Sequence, residues 1–473
     1  MTEQDVRNKL AGTFSAISKD TPSYHGDLLS QAASAYEKRH RKPLSANLKA
    51  VLQTTLTQNA RMLQQKGTTK QMIQSAAEDI GAVDNPISML FNLISILVPN
   101  YAFNEVVGVQ PMPSDPSPIY YPQLTAAEDR NNVAAGTVLL GSTNWNQNMN
   151  YTTDKLTEAL TISGTAVSKT LTNTPKLKGA IVTLVLDGTT YNLVSDANGK
   201  FPELTGVTVG EGTINAETKA VSITLAATAT TATGTINYKY VPAAGQKPAQ
   251  AKFEWATKSV STDSYKIRSV YSLENFYAAK QVLADYNIDE AMSTSLAGYI
   301  NAEISQGIFD DILAQTDASY AWNSALPTGV SWATHRLSVL QTLVAAANGI
   351  RANVQRSGGD TITADTSLMN VIETIGKDLW TPESYTAEPV GPYLAGKLAG
   401  KFKVIKNQQY PTGQSAMTFK RDDTDASVIA GVFIGLFATN PLVLDDLTSV
   451  SGMGCKMGTI KVFDNSIARV VVK

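Results

Sequence analysis

One cysteine, Cys455, and three histidines, His25, His40 and His335, are all the thiol and imidazole groups in these 473 residues. A single cysteine excludes an intrachain disulfide and fits assembly in a reducing compartment. Four such residues, scattered along the chain, exclude an ordinary thiolate–imidazole zinc site unless carboxylates complete it. A basic surplus is missing too: Lys plus Arg number 39 against 41 Asp plus Glu, a formal net charge of −2. A protein whose main task is gripping nucleic acid needs such a surplus or a basic stripe. Near-neutrality suits a subunit that packs against copies of itself. The start, Met1-Thr2-Glu3-Gln4-Asp5, lacks the basic flank and apolar core of a signal peptide. The longest apolar stretch, Pro86 to Val98, is interrupted by Ser88, Asn92 and Ser95. It falls short of the about 20 apolar residues that span a bilayer. The expectation is a soluble protein with no membrane contact.

Catalytic constellations are also absent. No Gly-x-Ser-x-Gly elbow occurs. Gly391-Pro392-Tyr393-Leu394-Ala395-Gly396-Lys397 has the spacing of a phosphate loop, but Leu398 stands where Mg²⁺ binding needs a hydroxyl. Lys401 to Ile405 then alternates like a strand where a helix N-terminus is required. Gly452-x-Gly454-x₃-Gly458 has the wrong spacing for a dinucleotide fingerprint and reads as a turn. Adjacent carboxylates at Asp310-Asp311, Asp422-Asp423 and Asp445-Asp446 point to different faces and read as solvated surface. His335, at a helix start, reads as a packing or surface histidine. The sequence nominates no catalytic, cofactor-binding or metal-binding residue, and no cofactor.

What is present is globular: 43% hydrophobic and 17% charged residues, enough for roughly two to four domains. Residues 1–84 read as helical and polar, with Leu48, Leu52, Leu56 and Met62 at helical spacing after Leu44-Ser45-Ala46-Asn47. The basic cluster Lys38-Arg39-His40-Arg41-Lys42 reads as a solvated face. Prolines between Pro99 and Pro122 predict an extended arm, and polar residues 123–165 an excursion away from any core. From 166 to 243 the composition turns to Thr, Val, Ile, Ala and Gly, which predicts a small all-β module. Within it, Asp187-Gly188 between Ile181–Leu186 and Tyr191–Val194 is a type I′ hairpin signal. Met292, Leu296, Ile300, Ile304, Ile308 and Ile312 recur every fourth position, widened by Tyr299 and Leu313, and predict a long helix with Asp289 as N-cap. A second helix over 332–354 would bury Leu337, Leu340, Leu343, Val344, Ala347 and Ile350. Strands near 401–406, 427–437 and 459–472 follow, giving an α+β class with an all-β insertion.

At Val98-Pro99-Asn100-Tyr101-Ala102-Phe103-Asn104-Glu105-Val106-Val107-Gly108-Val109-Gln110-Pro111-Met112 the chain resembles the major capsid proteins of large contractile-tailed bacteriophages. Three further segments, in order, are similar to that family: the long helix after Tyr286-Asn287-Ile288-Asp289; Leu394-Ala395-Gly396-Lys397-Leu398-Ala399-Gly400-Lys401-Phe402-Lys403-Val404; and Gly431-Val432-Phe433 through Met453-Gly454 to Ile460. The resemblance covers residues 85–165 and 245–473, and leaves the β insertion without a counterpart. It implies a tailed-phage capsid fold and no enzymatic activity. The regions implied are an N-terminal helical region (1–84), an N-terminal arm (85–112), an extended loop (113–165), an all-β insertion (166–243), a peripheral domain with the spine helix (244–330), an axial domain (331–440) and closing peripheral strands (441–473). The implied partners are copies of itself in pentamers and hexamers, scaffold, portal and decoration proteins, and packaged DNA held without sequence preference. Assembly would occur in the host cytoplasm and the product would be the virion shell. The family also trims an N-terminal segment during maturation, and the resemblance leaves both fates, trimming and retention, open for 1–84. A nanocompartment shell of the same fold, or a tail sheath or tube protein, is the alternative.

Overall fold

The α+β pattern is realised in a computed structural model. It describes residues 43–65, 102–140, 151–242, 247–272, 288–383, 391–438, 442–443 and 448–473, with short pieces at 29–30, 33–34, 36–37 and 274. The basic cluster at 38–42, His25, Pro86 to Val98, Tyr101 and Asp445-Asp446 lie outside the described residues. By its contacts the chain divides into two units, one of residues 1–123, 141–143 and 254–473, the other of 124–140 and 144–253.

The first unit has two hydrophobic cores. One lies against a five-stranded sheet of order β1 (Gly108–Pro111), β21 (Val428–Ala438), β23 (Thr448–Lys461), β14 (Asp263–Ser272), with β22 (Leu442–Val443) also on β23. Helix α1 (Ala46–Gln65) buries Leu48, Val51, Leu52 and Leu56 in this core, each at most 4% exposed. Ser45 Oγ accepts from Leu48 N (3.2 Å) at the start of α1. β21 slips register against β23 between Val432 and Ile434 and again before Phe437. Such bulges leave backbone groups without ladder partners, and α1 supplies replacements: Gln58 donates to Phe433 O (3.0 Å) and Asn59 to Leu436 O (2.6 Å).

Helix α2 (Ile288–Ala314) closes the same core through Ile300, Ile304, Ile308 and Ile312, all 0–2% exposed. A residue repeated every fourth position drifts about 40° per step, at 100° per residue. That drift carries the buried face toward Ser305, Phe309 and Leu313 and away from Tyr299, which is 57% exposed rather than part of the stripe. Asp289 lies inside the helix, which already begins at Ile288, so it is not the N-cap.

The second core is built on a seven-stranded sheet. Its order is β15 (Ala318–Trp322), β24 (Ala468–Val472), β20 (Gln414–Thr418), β16 (Thr361–Ala364), β19 (Phe402–Lys406), β18 (Tyr393–Leu398), β17 (Trp380–Pro382). Helices α3 (Trp332–Val354) and α4 (Thr366–Glu373) pack into this core. Asp365 caps α4, accepting from Ser367 N (2.9 Å) and Leu368 N (3.2 Å), and also takes bonds from Gly413 N (2.7 Å) and Ser415 Oγ (2.9 Å). Sheet membership cuts across the ranges read from sequence. β21, inside 331–440, belongs to the five-stranded sheet. β15, before 331, and β24, after 440, belong to the seven-stranded one. The Gly452–Gly458 segment is not a turn; it is the middle of β23. Its glycines allow close packing: a Cβ on Gly454 would meet the Phe437 ring, and one on Gly458 the Ser261 carbonyl.

The chain passes between the units along β2 (Ser117–Ala126) and β13 (Ala251–Val260), in a sheet of order β13-β2-β3 with β3 at Val138–Leu140. Most of the second unit is two sheets around one core. A four-stranded sheet runs β4 (Lys155–Ala159), β12 (Ala232–Lys239), β7 (Ile181–Leu186), β8 (Thr189–Val194). A five-stranded one runs β5 (Thr161–Ser163), β6 (Ala166–Thr170), β11 (Ala220–Thr224), β10 (Gly212–Ile214), β9 (Lys200–Phe201). Val182, Leu184, Leu193, Ile236 and Tyr238 of the first sheet meet Val167, Phe201, Ile214, Val221 and Ile223 of the second, as in a sandwich. The β7–β8 turn has Asp187 at φ 47° and Gly188 at φ 83°, the two left-handed residues of the expected hairpin. The expected start at residue 166 is too late. β4 and β5 lie in the stretch read as a coreless excursion, yet each joins a sheet, and Leu156 and Leu160 are buried in the shared core. Tyr240 N donates to Asp154 O (2.9 Å), so this sandwich begins and ends at one point.

Candidate functional site

Among the described residues no three His, Cys, Asp or Glu side chains come together in a way that could hold a metal ion. Cys455 is buried in the first core, and burial pushes its thiol well above the ordinary value, which disfavours the reactive thiolate. His335 is buried on α3, stacked on Trp322 with ring centroids 5.0 Å apart. Its Nε2 lies 2.9 Å from Asn323 O, which can only accept, so that nitrogen carries the proton and donates. The ring fastens the loop after β15 to α3, which is a packing role. The phosphate-loop spacing at 391–397 falls on β18, whose hairpin to β19 turns through Ala399 (φ 51°) and Gly400 (φ 65°). No helix N-terminus stands there.

Charged side chains in the interior tie elements together. Lys403 pairs with Glu105 (2.8 Å), and Lys420 with Asp423 (2.9 Å) and the Asn104 carbonyl (2.6 Å). Ser45 Oγ also donates to Asp423, which locks the start of α1 to this cluster. Asp423 is therefore not solvated surface, whereas Asp310 and Asp311 are exposed. Arg356 is held by Asp425 (3.3 Å) and Pro122 O (2.6 Å), with its guanidinium 4.6 Å from the Phe463 ring centroid. Each carboxylate meets its cation inside the fold, so these pairs hold structure. In the second unit, a cleft of about 360 Å³ beside Pro242 and Lys247 has its Arg130–Asp154 pair closed at 3.0 Å.

The feature that a solitary globular subunit does not need is on α3. Its buried residues are His335, Val339, Leu343, Ala346, Ala347, Ile350 and Val354. Leu337 and Val344, expected in the buried stripe, are 44% and 40% exposed. They sit roughly 120–140° round the helix from the centre of the buried face, at 100° per residue. Trp332 and the preceding loop residues Leu326 and Val330 are exposed as well. Ser331 caps the helix by accepting from Thr334 N (3.2 Å), which fixes where the loop ends. From Asn323 to Ile350 the only Asp, Glu, Lys or Arg is Arg336, and its Nη1 is engaged by the Thr374 carbonyl. In a chain that is 17% charged, a solvated face of that length would carry about five charges. A largely apolar outward face, with the exposed Arg351 only at its C-terminal end, is the mark of a surface that another protein covers.

The sequence profile of the family described as major capsid protein Gp23 matches residues 83–434. No curated protein matches the chain. The chain is similar to the solved capsid of Myoviridae Phage XM1 at 9% identity, covering 50% of this chain and 81% of that one, with a TM-score of 0.32. For a structure from Mycobacterium phage Bobi the values are 11%, 49%, 80% and 0.32. For the holo-SrpI encapsulin complex from Synechococcus elongatus PCC 7942 they are 7%, 46%, 77% and 0.33.

Proposed function

The chain belongs to the major capsid protein Gp23 family, whose members build the bacteriophage head shell and are not enzymes, and from this we propose how its parts close that shell. Copies assemble into pentamers and hexamers in the host cytoplasm. The seven-stranded sheet with α3 and α4 serves as the axial part. The five-stranded sheet with α1 and α2 serves as the peripheral part, α2 being the spine helix. β2 and β13 are the roots of the extended loop, and the sandwich between Asp154 and Tyr240 is an insertion carried on it. Scaffold, portal and decoration proteins complete the head, and DNA is enclosed by a near-neutral chain without sequence preference.

The outward face of α3 carries this reading. Leu326, Val330, Trp332, Leu337 and Val344 gain from burial against the next copy around an axis. Arg336 is held by the Thr374 carbonyl, and the exposed Arg351, seven residues beyond Val344, stands at the rim of that contact. Obligate contacts of this kind bury about 2,000 Å² or more, so this face is the core of a larger interface. Electron microscopy of purified protein, with mass from light scattering, tests it. Closed shells, or rings of five and six, are expected. Helical tubes would favour a sheath protein, and co-purified cargo enzyme a nanocompartment.

A further inference from the structure

The outer face of the sandwich's four-stranded sheet has a composition that its core does not require. Side chains alternate along each strand; with Val182, Leu184, Leu193, Ile236 and Tyr238 inside, the residues between them point out. The register then stacks two full rungs across four strands. One is Ala159, Thr235, Thr183 and Asn192; the other is Thr157, Asn237, Ile181 and Val194. A third rung holds Thr233, Val185 and Thr190. None of these eleven residues is charged. Ile181 and Val194, direct cross-strand partners, are 41% and 51% exposed. Charge appears only at the two ends of the face. Lys155 and Lys239 are cross-strand neighbours at one end, where Asp196, two residues past Val194, is taken up by the N–H groups of Asn198 and Lys200; Asp187 occupies the β7–β8 turn at the other, accepting from Thr231 N (2.8 Å). Two lysines directly opposite each other repel unless an anion answers them.

We propose that this face pairs with the same face of a neighbouring copy about a local twofold axis. A twofold lying in the plane of contact, perpendicular to the line from the lysines to Asp187, lays Lys155 and Lys239 of one copy over Asp187 of its partner, and the reverse, while the uncharged rungs meet in between. Such a contact is isologous and self-complementary. Its footprint follows from strand geometry: four strands about 4.8 Å apart and roughly seven residues of about 3.3 Å each give on the order of 400 Å² per copy. That is below the size of interfaces that hold free proteins together. The pairing therefore operates between copies already held close in a shell, where effective concentration replaces area. It rests on the self-assembly reading and adds a second contact to it, remote in sequence from α3.

The native thiol, Cys455, is buried, so an added surface cysteine reports alone. Thr235→Cys, near the centre of the face, and Ser222→Cys, on the outer face of the other sheet, are each placed in the full chain. Face-packed sheets lie about 10 Å apart, beyond the roughly 7 Å between Cα atoms that a disulfide spans, so assembled particles are treated with a short bismaleimide and run on denaturing gels. Thr235→Cys is expected to give mostly cross-linked dimer and Ser222→Cys at least tenfold less. Lys239→Glu should cut the Thr235→Cys dimer several-fold, and adding Asp187→Lys should restore it. Intact shells in which Thr235→Cys stays monomeric, or cross-links no better than Ser222→Cys, overturn the pairing and leave the capsid reading standing. Failure of the unmodified chain to form shells even with its scaffold protein present overturns the assembly reading and the pairing with it.

Discussion

Placing glutamate on the outer face of α3 should abolish assembly while leaving the subunit folded. In Leu337→Glu/Val344→Glu both sites are about two-fifths exposed in the single chain. Full burial of such a side chain is worth ~1.5–3 kcal/mol, so covering the exposed remainder contributes on the order of 1 kcal/mol per residue at each interface. Two carboxylates there instead must be desolvated at several kcal/mol each without a partner. The swing exceeds roughly 4 kcal/mol per contact, about a thousandfold in affinity, and it recurs at every contact of a ring. Stability of the isolated subunit should move by no more than about 0.5 kcal/mol, because exposed helical positions accept glutamate readily. Leu343→Ala, on the buried face, makes the contrast: a cavity costing about 2–5 kcal/mol. Thermal melts by circular dichroism and particle counts by electron microscopy separate the two effects. Shells in normal yield from the double glutamate variant would refute the surface assignment.

Other consequences follow from single side chains. Asp365→Ala should lower stability by about 3 kcal/mol, since it uncaps α4 and also strips partners from Gly413 N and Ser415 Oγ; urea titration measures this. Burial raises the Asp360 pKa above its ordinary value, against the Thr361 and Lys420 bonds and the nearby Lys403 that lower it. Its stabilising contribution is therefore complete below the ordinary aspartate pKa and is lost as pH rises through the raised one. Asp360→Asn should flatten that loss, with a melting temperature at pH 7 no lower than that of the unsubstituted chain. Gly458→Ala should cost about 1–3 kcal/mol, because its Cβ meets the Ser261 backbone, and a thermal melt reads it directly. Excising 170–240 should give insoluble protein, since β4 and β5 lose their sheets, whereas joining Asp154 to Tyr240 by a short glycine–serine link should not.

Periodicity reads well where burial is one-sided. The isoleucine ladder of α2 and the Asp187-Gly188 hairpin are plain in the sequence because each pattern admits one solution. α3 was legible in extent but not in orientation. It has apolar residues on two faces, and sequence cannot say which of them a second copy covers. Periodicity alone places Leu337 and Val344 in the core, and the signal against it is the run from Asn323 to Ile350 with one formal charge. Glycines at 452, 454 and 458 suggested a turn because local rules read glycine as flexible. The cause at 454 and 458 is the Phe437 ring and the Ser261 backbone, which approach from distant parts of the chain. β4 is not legible locally because its partner β12 lies at the far end of the sandwich sequence, whereas β5 forms a local hairpin with β6 through Gly164 (φ 60°) and is too short to show a strand pattern.

The most direct test of self-assembly into a shell is cryo-electron microscopy of the full chain, purified and concentrated both alone and with its scaffold protein. Closed polyhedral particles, or rings of five and six subunits, are expected, with α3 facing its neighbour across each contact. Helical tubes, or a monomer that persists in both preparations with α3 open to solvent, would contradict self-assembly into a shell.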